Sequence, residues 1–264
     1  MTFEQLLPIL ASTVTAATPL IIAALGVLVS ERAGVLNLGV EGMMLIGAVT
    51  AFAVGASSDS LLLGYLAAIA AGATVALLFG VLVLSLQTNQ VATGLALALF
   101  GIGLSAFLGQ PFVGTTLDRL PALNIPLLAD IPLLGPLLFH YDAVVYASLL
   151  LFGAVSWFLY RSRMGLRLRA IGEAPAVAHS LGEPVIRIRY LATMFGGAMS
   201  GLAGAYLSTA LTPMWVEGMS AGRGWIVLAL VVFATWRPLR VLLGAYLFGG
   251  VTVLQLHAQG FGVT

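Results

Sequence analysis

The residues of this sequence with the most chemical potential are four polar side chains between two long apolar stretches. Within residues 31–48, ERAGVLNLGVEGMMLIGA, glycines separate the adjacent pair Glu31 and Arg32 from Asn37, and Asn37 from Glu41, although charged residues make up only 8% of the chain. A charged group among apolar helices needs a partner, water or the membrane interface. What these groups can do therefore depends on the solvent that surrounds them.

That solvent is predicted to be a lipid bilayer. Hydrophobic residues make up 60% of the sequence, its mean hydropathy is +1.08, and apolar runs of membrane-spanning length recur. The run at 61–86 is apolar on every face, whereas the strands of a membrane barrel alternate apolar and polar residues. The sequence therefore predicts an all-α, polytopic membrane helical bundle. No basic region precedes the first apolar segment, so we expect that helix to be retained rather than removed as a signal peptide.

Glycine, proline and charge divide the apolar residues into about eight predicted spans, at 5–29, 38–56, 61–86, 91–110, 141–160, 188–211, 223–236 and 239–257. If segment 161–189 is cytoplasmic, only Arg119 and Arg223 fall outside the inner side, which predicts an external N-terminus. The arginines collected on the inner side are Arg32, Arg161, Arg163, Arg167, Arg169, Arg187, Arg189, Arg237 and Arg240.

Several kinds of chemistry are excluded by residues that the sequence lacks. It has no lysine and no cysteine, which excludes a P-loop, a Schiff base and a disulfide. Its three histidines are isolated, and no H-E-x-x-H motif occurs. We therefore expect no catalytic residue, metal or cofactor in this chain. ATP, if it drives the protein, must be bound and hydrolysed by another subunit.

Glu41 is the most informative of the membrane acids. A carboxylate at mid-bilayer costs at least about 2.5–3.5 kcal/mol, so it must be compensated. A turn at Gly34 could bring Arg32 back to Glu41 and pin a broken helix at the inner face. The alternatives are an interfacial loop with Glu41 solvated by water, and direct contact between Glu41 and a substrate.

A second polar island resembles the first. Glu217, Gly218, Gly222, Arg223 and Gly224 precede an unusually short apolar run. Under the predicted topology the two islands open helices that run in opposite directions, which is typical of an inverted repeat around a central pathway. Spans 1–3 then correspond to spans 6–8, and we expect a further C-terminal helix, the counterpart of span 4, beyond Thr264.

The third polar island, which comprises Gln87, Asn89, Gln90 and Thr93, lies in the turn between spans 3 and 4. Its side chains can cap and satisfy backbone at a tight turn, or they can hydrogen-bond a neutral polar solute. The predicted substrate pathway combines this island with the other two, and its candidate residues are Asn37, Glu41, Gln87, Asn89, Gln90, Thr93 and Arg223.

Two segments between spans are long enough to have roles of their own. Residues 111–140 contain five prolines and are predicted to form a partly embedded external loop, or else a simple connector. In the cytoplasmic segment 161–189, Glu173 and Pro175 suit the start of a short helix that Gly182 ends. That helix could dock a partner, although the arginines around it could simply follow the positive-inside rule.

Four stretches in order, GVLNLGVEGMMLIGA, NQVATGLAL, GLRLRAIGEAPAVAHSLG and GRGWIVLALVVFATWRPLRVLLGAYLFGG, resemble permease subunits of ATP-binding-cassette (ABC) importers. The similar group transports branched-chain amino acids and simple sugars, and within it the sequence most resembles permeases for nucleosides. These work with a basic-membrane-protein-type lipoprotein. The resemblance implies one transmembrane permease domain over 1–264 in a bacterial cell (inner) membrane.

The resemblance also implies partners: cytoplasmic ATPase subunits, a second permease and an external solute-binding lipoprotein. It implies that residues 172–182 form the helix that couples to the ATPase. The implied solute is a nucleoside or a related neutral polar molecule, carried by alternating access. Alternatives are a branched-chain amino acid or simple-sugar permease of the same architecture, and an ion-coupled secondary transporter. The implied coupling residues are Gly172, Glu173, Ala174, Pro175, Ala178, Leu181 and Gly182.

Overall fold

A computed structural model describes residues 3–123 and 139–260, so residues 124–138 of the predicted external loop lie outside the described residues. The described ranges contain ten α-helices and no strand beyond two isolated bridges. The helices are α1 (Phe3–Arg32), α2 (Val40–Ser58), α3 (Leu61–Gly80), α4 (Gln90–Gly109), α5 (Ala143–Arg161), α6 (Arg163–Glu173), α7 (Pro175–Ser180), α8 (Val185–Tyr206), α9 (Arg223–Phe233) and α10 (Pro238–Gly260). Five-residue π-helical turns extend α3 (Val81–Ser85) and α8 (Leu207–Leu211).

The predicted polytopic helical bundle is confirmed. Six of the eight predicted spans, α1 to α5 and α10, are each long and apolar enough to cross a membrane, and the predicted span at 188–211 is not among them. The full span predicted at 223–236 is corrected, because α9 has 11 residues and is about 16 Å long, half of the hydrocarbon core. It ends where Thr235 and Trp236 take positive φ angles of 52° and 53°.

Helix α8 is the centre of the bundle and packs against α1, α2 and α3. Glycines bring these helices into backbone contact. A Cβ atom on Gly72 of α3 would lie 2.2 Å from the carbonyl oxygen of Gly197 in α8. On the other side of α8, the buried Ser30 hydroxyl of α1 donates to the Ala192 carbonyl at 2.9 Å.

One pair of helix contacts has the match that the predicted inverted repeat requires. If α1 to α3 correspond to α8 to α10, the packing of α3 on α8 must be matched by packing of α10 on α1. Both pairs are among the most extensive in the bundle. In the second pair, a Cβ on Gly249 of α10 would lie 2.9 Å from the Ala17 nitrogen of α1, so this approach also depends on glycine.

One end of the bundle gathers the helix ends that carry arginine. Arg32 Nη2 donates to the Trp236 carbonyl at 3.0 Å, and the Tyr160 hydroxyl reaches the same oxygen at 3.4 Å. Arg189 Nε donates to the Ala33 carbonyl at 3.0 Å. The ends of α1, α5 and α9 and the starts of α8 and α10 therefore lie together, and we call this end the arginine face.

Replacing Gly204 with alanine should destabilise the bundle. A Cβ there would lie 1.8 Å from the Met44 carbonyl oxygen, so α2 and α8 must move apart. Overpacking of this kind costs about 1–3 kcal/mol, which should appear as a lower thermal unfolding temperature in detergent. Gly153→Ala is the matched control, since a Cβ there meets nothing within 4 Å. Equal unfolding temperatures for the two variants would contradict the close approach.

Candidate functional site: the Glu41 junction and the coupling segment

Two irregular segments enter the bundle from opposite ends. Residues 33–39 start at the arginine face, where Gly34 has a φ of +80° and Arg189 holds the Ala33 carbonyl. Residues 212–222 start at the other end, where Met214 forms a bridge with Thr116. Irregular backbone at membrane depth is tolerated only where protein or a water-filled cavity surrounds it. These segments are therefore expected to be enclosed by protein or to line a cavity.

The two segments meet at the carboxylate of Glu41, in the first turn of α2. Glu41 is buried, with 5% of its surface exposed. Its Oε1 atom accepts hydrogen bonds from the Ser220 hydroxyl at 2.5 Å and the Gly222 amide at 2.9 Å. Its Oε2 atom accepts one from the Gly224 amide at 2.6 Å. A negative side chain from α2 thus caps the positive N-terminal end of α9.

Glycine is needed at this contact. A Cβ on Gly224 would lie 2.6 Å from the Glu41 Cα and nitrogen atoms, so a larger residue would push the two helix starts apart. Gly222, the N-cap residue of α9, has a φ of 80°, which glycine adopts without the steric penalty of a Cβ. The glycines of the second polar island therefore allow the close approach and supply two of the amide donors.

The distances along two helices, α9 and α8, show that Glu41 lies well inside the bundle. Helix α9 runs about 16 Å from this contact to its end near the arginine face. Along α8, Gly204 lies about 22 Å beyond Arg189 and touches Met44, almost one turn after Glu41. Both distances place the carboxylate near the middle of a bilayer that is about 40–45 Å thick with its headgroups.

The predicted pin between Arg32 and Glu41 is wrong. The Arg32 guanidinium binds the Trp236 carbonyl at the arginine face, and Glu41 binds α9 instead. Arg32 and Glu41 do not meet because residues 33–39 run from the arginine face into the interior and separate the two side chains. The alternative of a solvated, interfacial Glu41 is also excluded by its burial.

Because Arg32 and Glu41 do not meet, their effects on stability should add. We expect the loss of unfolding free energy in the Arg32→Ala, Glu41→Ala double variant to equal the sum of the single losses within about 0.3–0.5 kcal/mol. Chemical unfolding of the four proteins in one detergent measures this. A double variant markedly more stable than the sum would show that the two residues are coupled, either directly or through α9, whose two ends they contact.

Amides of the first and third islands hold the segment at 33–39. Asn37, which is 6% exposed, accepts the Gly39 amide at 2.8 Å and donates to the Met43 sulfur at 3.5 Å. Gln90 Oε1 accepts the Leu36 amide at 2.8 Å. These bonds satisfy backbone groups that have no helical partner.

The other polar side chains of the third island cap the helix, form a local hydrogen bond or are exposed at the turn. Asn89 caps α4 by accepting the Ala92 amide at 3.0 Å, and the Thr93 hydroxyl pairs with that of Thr88 at 2.9 Å. Gln87 is exposed and has a φ of 54°. The capping interpretation of this island is thus confirmed for Asn89. A pathway role for its side chains stays a prediction.

Arg223 is the first residue of α9 and lies beside the Glu41 junction, the contact of Glu41 with Ser220, Gly222 and Gly224. Its Nη1 atom donates to the Met219 and Ser220 carbonyls at 3.3 and 3.2 Å. Within the described ranges the only ion pair within 4 Å joins Arg167 and Glu183, so Arg223 makes no direct pair with Glu41. Its charge lies close to Glu41 and partly offsets the carboxylate at this depth.

A cavity of about 330 Å³ opens at the end opposite the arginine face. Gln110, Thr115 and Thr116 line one side, and Trp215 and Glu217 of the second irregular segment line the other. Trp215 is 3% exposed, and its indole nitrogen has no hydrogen-bond partner among the described residues. We call this the outer cavity. Its wall residues Trp215 and Glu217 precede Ser220 and Gly222, which bind Glu41, by a few positions in the sequence.

The predicted coupling segment at 172–182 has the predicted helix. Pro175 is at the start of α7, and Gly182 follows it with a φ of +82°. Ala178 is buried beneath the helix, whereas Val177 and Leu181 are 58% and 78% exposed. The segment therefore presents two apolar side chains beyond the arginine face.

The coupling segment is fixed to the transmembrane helices. A Cβ on Gly172 would lie 2.1 Å from the Arg32 carbonyl oxygen, which makes this glycine a close contact between α6 and the end of α1. On the far side, the Arg167–Glu183 ion pair of 3.2 Å joins α6 to the residues after α7. Glu173 and Ala174 are exposed at the turn between α6 and α7.

Sequence reasoning missed the partners of Arg32 and Glu41 in the first island. Ser220, Gly222 and Gly224 lie about 180 residues from Glu41, and Trp236 lies 204 residues from Arg32. One signal could have found the first contact. Both islands open helices, and a carboxylate is a favoured partner of a helix N-terminus.

A polytopic bundle that irregular segments enter from both ends is the architecture expected of a membrane permease. The chain belongs to the family of branched-chain amino acid transport system permease components, whose profile matches residues 9–261. It is a permease of the ABC transporter class, as the resemblance in its sequence implies. No solved structure matches the chain significantly.

Relatives of the chain include permeases for sugars and nucleosides. It is 48% identical to a Haloferax volcanii protein described provisionally as a glucose ABC transporter permease, over 97% of the chain and 79% of that protein. It is 35% identical to a guanosine ABC transporter permease of Bacillus subtilis, over 97% and 84%. It is 30% identical to a nucleoside ABC transporter permease of Lactococcus lactis, over 94% and 82%.

Proposed function

We propose that this chain forms the translocation path of an ABC importer for a nucleoside or a related neutral polar solute. A separate cytoplasmic ATPase binds and hydrolyses ATP, a second permease completes the membrane unit, and an external lipoprotein delivers the solute. The chain lies in the cell membrane with its N-terminus outside and the arginine face inside. The observation that carries this proposal is the meeting of two irregular segments from opposite ends at Glu41.

The proposed path starts at the outer cavity and passes the Glu41 junction. Trp215 and Glu217 in the cavity wall belong to the segment that Glu41 holds through Ser220 and Gly222. A shift of α2 relative to α9 would therefore move the cavity wall. We propose that ATPase closure, acting on the coupling segment and through Gly172 on α1, drives that shift and alternates access between the two sides.

The amide and hydroxyl groups of the outer cavity suit a neutral polar solute, and the Glu217 carboxylate in its wall disfavours an anionic one. Amide and hydroxyl groups of Gln110, Thr115 and Thr116 suit ring hydroxyls and base edges. A nucleoside has all of these complementary features. A simple sugar is the second candidate, favoured by the relative described for glucose.

Uptake by the complete complex in proteoliposomes tests the function. We expect labelled guanosine to accumulate only with ATP inside and the lipoprotein outside, with glucose and leucine as parallel arms. Glucose uptake alone would transfer the proposal to sugars, and leucine uptake alone would transfer it to branched-chain amino acids. Uptake that persists without ATP but collapses with the ion gradient would show a secondary transporter and overturn the proposal.

A further inference from the structure

A second cavity, of about 400 Å³, lies near the arginine face between α1, α5, α6 and α8. Its wall is made of apolar side chains, among them Phe158, Met164, Leu168, Leu191 and Phe195. Leu191 and Met164 are 59% and 46% exposed, so the cavity opens at the surface of the bundle. It is separate from the outer cavity and from the Glu41 junction, and the proposed transport path does not use it.

An apolar cavity at this position calls for an apolar occupant. Empty space beside packed side chains forfeits their dispersion contacts, and water gains nothing from a wall without hydrogen-bonding groups. The helices around it cross the membrane, so the lipid acyl chain is the apolar molecule at hand. This argument gives an acyl chain and leaves the headgroup open.

Two arginines at the cytoplasmic end of the cavity wall favour a lipid with an anionic headgroup. Arg161 comes three residues after Phe158 in α5, and Arg187 comes one turn before Leu191 in α8, so each shares a helix face with a lining residue. Both are exposed, and neither has an ion pair or a hydrogen bond from its guanidinium to any described residue. By contrast, Arg32, Arg167 and Arg189 are all bound to protein groups.

We propose that this cavity is a binding site for an anionic phospholipid. One acyl chain fills the space between Phe158, Leu168 and Phe195, and the phosphate lies at the arginine face against Arg161 and Arg187. Basic pockets between helices on the cytoplasmic side are suited to anionic headgroups. Since Met164 and Leu168 of α6 line the cavity, the lipid also fixes the helix that leads into the coupling segment.

Lipid titration of the delipidated, purified chain in detergent tests this site. We expect phosphatidylglycerol to raise the thermal unfolding temperature and to remain bound in native mass spectrometry. Phosphatidylcholine with the same acyl chains should bind at least about tenfold more weakly, because guanidinium–phosphate bonds are strengthened when the lipid carries net charge. Inorganic phosphate should have no effect, which separates a lipid site from a site for the free anion.

Variants assign the binding to this cavity. Arg161→Gln with Arg187→Gln should weaken phosphatidylglycerol binding at least about tenfold, whereas the double lysine variant should retain most of it. Ala154→Trp, which fills the cavity, should reduce binding of both lipids. Arg237→Gln removes a charge from the turn before α10, a helix that does not line the cavity, and is the control. Equal binding of the two lipids, or an equal loss in Arg237→Gln, would overturn the proposal.

Discussion

Replacing Glu41 with alanine is expected to unfold or severely destabilise the bundle and to abolish transport. The change leaves the Ser220 hydroxyl and the Gly222 and Gly224 amides without their acceptor in an interior that excludes water. Hydrogen bonds to a charged group contribute about 1.5–3 kcal/mol each, and they are not additive, so we expect a total loss of about 3–5 kcal/mol. Thermal unfolding in detergent and uptake in proteoliposomes measure the two effects.

Graded variants separate the carboxylate from side-chain volume. Glu41→Gln keeps one acceptor oxygen but points an amide donor at backbone donors, so its loss should be intermediate. Ser220→Ala removes a single hydrogen bond and should cost least. Ser57→Ala is the matched control, because its hydroxyl bonds only to its own helix at an exposed position. An unfolding temperature for Glu41→Ala equal to that of the control would show that the junction does not hold the bundle.

Much of this fold could be predicted because the bilayer limits the choices. Apolar runs of spanning length must be helices, and arginines mark one side. The short helix at Pro175–Ser180 was also predictable, since Pro175 and Gly182 are local signals that act within a few residues. Each of these features is encoded where it occurs.

The Glu41 junction could not be predicted in the same way. Its donors are about 180 residues away, and Arg32, nine positions earlier, offered a nearer counter-charge. The length of α9 was hidden for a related reason. Its apolar run continues in the sequence through Trp236, but the positive φ angles at Thr235 and Trp236 end the helix. That turn is stabilised from outside, by Arg32 holding the Trp236 carbonyl.

The second large effect is expected from Leu181→Asp combined with Val177→Asp in the coupling segment. Both side chains are exposed beyond the arginine face, where an apolar tip gains free energy only if a partner covers it. Two carboxylates there would have to lose their hydration against the ATPase. We expect at least a tenfold loss of co-purified ATPase and of ATP-driven uptake, with no change in the membrane insertion or the unfolding temperature of the chain.

Glu173→Ala tests the same contact with a smaller change. Glu173 is exposed at the turn before α7, and we expect its removal to weaken ATPase attachment without affecting the fold. Leu123→Asp is the control for added charge, because Leu123 is 46% exposed at the other end of the bundle and bonds through its amide to the Tyr141 carbonyl. If the coupling variants retain the ATPase as well as this control does, the docking surface lies elsewhere on the arginine face. If the coupling variants lose the ATPase while Glu41→Gln retains it, ATPase attachment and solute translocation are separable. This separation is expected if the path lies inside the bundle and the ATPase binds the coupling segment outside it.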